Sequence, residues 1–227
     1  MLDCALWLGA WLRGTAAPDD ALEALAGLVP GSSPASVLAD VRSAQPVGTW
    51  LLLPRPGRIL GWPRSAAGPP EPAVLLTDRA EAGWLVRPRH GRWSVDPVGP
   101  VQVGALRAEA LSGRQGRRAF ESVVEQSAAR FERLGLDRPA SVATPHRWAE
   151  AVASLPPGLS TDAMAVLHRG AVLLDVLQVA LADDGAAVTS AEAAARAAEI
   201  RQLVGRIEDV LAGVVGGLNA PTDTVTA

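Results

Sequence analysis

His168 and Asp175 are the residues best placed by type and spacing for proton chemistry, in a run that reads as a helix from 164 to 182. At about 100° per residue, His168, Asp175 and Gln178 project within about 80° of one another. Apart from Arg169, the rest of that circumference is mostly Ala, Val and Leu. A narrow polar stripe of this kind can be an acid/base pair in a cleft. It can equally be a buried network that fixes how two helices pack, with Asp175 placed to meet Arg196 across an antiparallel hairpin. A buried Asp–Arg pair satisfies both charges without catalysis, and this structural reading is preferred. The three histidines, His90, His146 and His168, fall in no close ligand spacing, so no metal or cofactor is expected. Thr144-Pro145-His146 reads as a helix start, with Thr144 as cap and Pro145 in the first turn.

Arginine supplies the second kind of chemistry. All 21 cations are Arg, against 24 acids. Residues 1–41 carry a net −4, residues 42–118 a net +7 and residues 119–227 a net −6. Two clusters stand out in the basic stretch. Arg87, Arg89, His90 and Arg92 gather at an expected hairpin tip, and Arg114, Arg117 and Arg118 gather where a helix begins. Guanidinium forks close to backbone N–H groups make an anion site, and Trp84 and Trp93 flank the first cluster as stacking surfaces. The competing reading treats both clusters as solvated tips of a chain that has no other cation. Cations at a helix start oppose the helix dipole unless an anion sits there, which favours the site reading at Arg114–Arg118. With a pI near 5.6, the chain lacks the footprint of a dedicated nucleic-acid domain.

The absent residues remove whole classes of chemistry. Without Lys there is no Schiff-base enzyme and no P-loop lysine. Cys4 alone cannot build a Cys-ligated zinc or iron–sulfur site, or a disulfide framework, within one chain. No G-x-S-x-G, G-x-G-x-x-G or D-x-D-x-D-G string occurs.

These groups must be held by elements whose pattern changes along the chain. The apolar stretch 2–13 has Asp3 at its start and Arg13-Gly14 at its end, so it reads as a buried helix rather than a signal peptide. It is also shorter than a membrane span. Further helices are expected at about 19–28 and 34–43, with Ser33 as a cap before Pro34. Between Val47 and Val103, short runs broken by Pro and Gly predict strands at 49–53, 59–62, 73–77, 84–86 and 93–95. From about Ala105 the period is helical. Phe120, Val123, Val124, Phe131 and Leu134 share a face ending at Gly135. A short helix is expected at 146–154, and one from Ser160 to about Ala182. The turn at 183–185 and the Thr189–Glu192 capping box then lead into a last helix. Its Ile200, Leu203, Val204, Ile207, Val210, Leu211 and Val214 repeat at heptad-like spacing.

The expected class is α+β: a helix-flanked antiparallel sheet over 1–104, a helical hairpin or bundle over 105–217 and a flexible tail over 218–227. Whether the two halves share one core stays open. The strings Leu6-Trp-Leu-Gly-Ala-Trp-Leu-Arg-Gly14, Leu155-Pro-Pro-Gly158 and Ala182-Asp-Asp-Gly-Ala-Ala-Val-Thr-Ser-Ala-Glu-Ala-Ala-Ala-Arg196 resemble an actinobacterial protein family with no assigned function. That resemblance implies a cytoplasmic protein and carries no catalytic residues. The leading expectation is a non-enzymatic binding or regulatory protein that engages a polyanion or a protein partner through its Arg clusters. A homodimer through helical faces is possible on this pattern, and no membrane association is expected. The alternative is a small enzyme or metabolite-binding protein that holds a phosphorylated or carboxylated ligand.

Overall fold

The computed structural model describes residues 1–133, 155–182 and 189–219. The expected helix at 146–154, the helix end at Gly135, the turn at 183–185 and residues 220–227 lie outside the described residues. The described chain forms two compact units. One comprises Met1–Ser112, Leu155–Leu159 and the helical stretch from Ala212; the other contains the helices between Gly113 and Leu211. The first boundary along the chain falls between Ser112 and Gly113, and the end of the last helix belongs to the first unit.

The first unit opens with α1 (Leu2–Leu12), α2 (Pro18–Leu28) and α3 (Pro34–Ala44). Eight positions of α1 between Leu2 and Ala10 are buried, so its apolar run contributes to the core. A four-stranded antiparallel sheet follows in the order β1 (Gly48–Leu52), β2 (Ala73–Thr77), β3 (Gly83–Arg89), β4 (Arg92–Val98). Strand side chains alternate between faces. One face gathers Trp50, Leu52, Ala73, Leu75, Leu85 and Val98 into a core completed by Val103 and Leu106 of α4 (Val103–Glu109). The Trp50 indole nitrogen donates to the Thr77 hydroxyl at 3.2 Å, so the buried ring leaves no orphan donor. The opposite face, with Leu51, Val74, Leu76 and Val86, is buried too, and α1 and α3 lie against β1 and β4.

The expected strand at 59–62 does not form. Pro54, Pro56 and Pro63 cannot donate to a ladder, and Gly57 and Gly61 take positive φ. The segment is instead an irregular loop that begins with a tight turn bonded between Arg55 and Arg58. Gly61, at φ 73°, lets the loop lie directly on Leu106; a methyl there would stand 2.5 Å from that side chain.

The second unit holds α5 (Gly113–Arg133), α6 (Thr161–Ala182) and the first part of α7 (Ser190–Asn219). The Ser160 hydroxyl accepts from the Ala163 amide, and Thr189 and Glu192 bond reciprocally as the capping box requires. Phe120 and Val123 of α5, Val166, Leu167 and Leu174 of α6, and Ile200, Leu203 and Ile207 of α7 are buried. Arg169 lies over the Phe120 ring at 5.3 Å, and Arg130 pairs with Glu199 at 2.7 Å. By length and composition α6 could cross a bilayer. It packs on α5 and holds the buried Asp175.

Within the first unit, the end of α7 carries Gly213, Gly216 and Gly217. The Leu111 amide donates to the Gly213 carbonyl at 2.8 Å, and a methyl on Gly217 would stand 2.1 Å from the Leu111 carbonyl oxygen. Leu218 and Asn219, expected in a loose tail, complete the helix. Asn219 is buried in the space that Gly9 leaves by having no side chain.

Candidate functional site

The β3–β4 hairpin turns through His90 and Gly91, both at positive φ, as a two-residue primed turn requires. Arg89 therefore pairs with Arg92, Arg87 with Ser94 and Leu85 with Asp96. Positions 85, 87, 94 and 96 fall on one face, which brings Asp96 diagonally beside Arg87.

Arg87 is 1% exposed and is spent on its own protein. Its Nε and Nη2 donate to one Asp96 carboxylate oxygen at 3.3 and 3.1 Å, and Nη1 donates to Glu71 at 2.9 Å. Nη2 also reaches the Ala67 carbonyl at 3.1 Å, and the guanidinium stacks on Trp62 at 5.6 Å. Arg89 donates to the same Ala67 carbonyl at 2.7 Å and stands 3.7 Å from Glu71. Burial pushes the Asp96 carboxyl up, but the Ser94 hydroxyl, the Arg87 bonds and the Arg89 charge outweigh it and hold the group below the usual carboxylate range. Arg87 thus fastens the loop 62–71 to the sheet, and only His90 and Arg92 of this cluster are exposed.

Trp84 and Trp93 do not serve this cluster. They occupy the alternate positions of β3 and β4, on the face opposite Arg87, and the Trp93 backbone amide donates to the Ser32 hydroxyl oxygen just before α3 at 3.1 Å. The ring beside the guanidinium is Trp62, which sequence reading placed in a strand. Asp96, Glu71 and Ala67 were also missed, although the two-residue turn at His90-Gly91 already implies the Arg87–Asp96 diagonal.

The second cluster keeps more of its charge free. Arg114, Arg117 and Arg118 lie on exposed turns of α5, whose first turn holds no acid. Arg117 pairs with Asp162 at 3.4 Å. Arg114 and Arg118 form no ion pair among the described residues. Spaced four apart, they share one helix face about 6 Å apart at Cβ.

His168 and Asp175 are not brought together as an acid/base pair. Though they share an azimuth, seven residues of helix separate them by about 10 Å along the axis. His168 is exposed, while Asp175 is buried and already engaged. Among the described residues, no group of three His, Cys, Asp or Glu side chains is placed to hold a metal ion.

The described residues form an α+β protein of two compact units. Residues 2–105 match the model of the Rv1486c-like protein, N-terminal domain, and residues 114–212 that of the Rv1486c-like protein, C-terminal domain. The chain belongs to the Rv1486c-like family. No curated protein and no solved structure matches it.

Proposed function

We propose that this protein is a non-enzymatic, cytoplasmic binding or regulatory protein that engages an acidic segment of a partner protein through the start of α5. The carrying observation is that Arg114 and Arg118 sit exposed, four residues apart, without a carboxylate partner among the described residues, whereas Arg87 and Arg89 are compensated within the chain. Two free cations against an overall charge of −3 suit a short acidic stretch better than an extended nucleic acid. The lone Cys4, buried in α1, agrees with a reducing compartment.

The test is a titration of the full chain into a fluorescein-labelled oligoglutamate peptide, followed by anisotropy. Saturable binding is expected, weakened by the double variant Arg114→Gln/Arg118→Gln without a change in melting temperature. An equal affinity for that variant would remove α5 from the reading.

A further inference from the structure

We infer that the first unit carries a second binding site, for a small amphipathic carboxylate, in the cavity between the loop 59–65 and the segment 99–105. The cavity measures about 450 Å³. That lies inside the range of roughly 300–1,000 Å³ usual for small-molecule sites.

Its walls are built rather than incidental. Arg58 ties the loop to Glu109 of α4 at 3.1 Å, and the Gly99 amide donates to the Ser65 hydroxyl oxygen at 2.8 Å. Trp62 is held under the Arg87 guanidinium. A loop fastened at three points needs little ordering when a ligand enters, which lowers the cost of binding.

The lining divides by chemistry. Ile59, Trp62, Val101 and Ala105 supply apolar surface, and Ile59 is left 59% exposed although it is a large aliphatic side chain. Covering it with an apolar chain or ring recovers the burial that the free protein forgoes. Arg64 and Gln102 supply the polar end. No acidic side chain lines the cavity, and Arg64 has no ion pair among the described residues. An uncompensated guanidinium beside an apolar wall selects a ligand with one carboxylate at the end of an apolar body. Neutral ligands forgo that bond, and cations are repelled.

The experiment is calorimetric titration of the full chain with decanoate and with decanol as its neutral counterpart, both below their aggregation limits. Wild-type protein is expected to take up decanoate at one saturable site and more tightly than decanol. Arg64→Gln is expected to weaken decanoate about tenfold, the effect of losing one charge-assisted hydrogen bond, and to leave decanol unchanged. Ile59→Asp, at a position exposed enough to keep the fold, is expected to weaken both. Absence of saturable uptake by the wild type overturns the site. So does decanoate affinity that neither substitution alters.

Discussion

Replacing Arg87 by Met tests whether the first arginine cluster is structural. Met keeps an unbranched apolar stem of similar length but removes the guanidinium that bonds Asp96, Glu71 and the Ala67 carbonyl. Truncating one partner of a fully buried pair costs about 3–5 kcal/mol. Here the side chains of Glu71 and Asp96 are 41% and 37% exposed, so water can replace part of what Arg87 gives them. Screening reduces the expected loss to about 2–3 kcal/mol. At about 2–4 °C per kcal/mol for a chain of this size, the melting temperature should fall by roughly 5–10 °C. Unfolding followed by Trp fluorescence reads the change, because Trp50 lies in the core that the loop covers and Trp62 of the loop packs against it. Arg92→Met, at the exposed tip, is the control and should stay within about 0.5 kcal/mol. Arg87→Lys should recover only part of the loss, since an ammonium cannot reproduce the fork. If Arg87→Met were no more destabilising than Arg92→Met, the buried clamp would not be holding the loop, and the reasoning would fail.

Further expectations follow from the same contacts. The depressed Asp96 carboxyl contributes stability that is present above its unfolded value of about 3.9 and is lost as pH falls through its lower folded value. Stability measured from pH 5 downward should therefore drop more steeply for the wild type than for Asp96→Asn, and parallel curves would contradict this. Burial pushes the Cys4 thiol up to about 12, so Ellman's reagent at pH 8 should react only when the chain unfolds. Rapid labelling of the native protein would show that α1 is not buried. Gly217→Ala drives a methyl into the Leu111 carbonyl and should cost about 2 kcal/mol or more, overpacking outweighing a helix-propensity gain of about 1 kcal/mol. In contrast, Gly104→Ala meets nothing within 4 Å and should stabilise the protein by about 0.5–1 kcal/mol in denaturant melts.

Much of the architecture was legible because local signals agreed with the global packing. Acidic residues and Pro at helix starts, the Thr189–Glu192 box and the His90-Gly91 turn each marked an element that forms. The run 59–62 failed because its apolar content resembles a strand, while the surrounding prolines deny it a ladder. The internal partners of the arginine-rich hairpin were hidden for a different reason. Charge density along a chain says nothing about compensation, which depends here on Glu71, sixteen residues away, and on Asp96 across the turn. Only the second of these follows from strand register. The glycines at 213, 216 and 217 sat inside a strong helical pattern, where their close approach to Leu111 and Trp50 leaves no local trace. Likewise, the His168–Asp175 stripe was correct in azimuth, but azimuth does not report how deeply each end of the helix is covered.

The central claim is that α5, not the hairpin, presents the protein's working cations. The direct measurement compares Arg114→Gln/Arg118→Gln with Arg89→Gln/Arg92→Gln for oligoglutamate affinity at low and moderate salt. The account predicts that the α5 pair loses most of the affinity and most of its salt dependence, while the hairpin pair binds like the wild type. Loss confined to the hairpin pair, or no binding by the wild type at low salt, would contradict it.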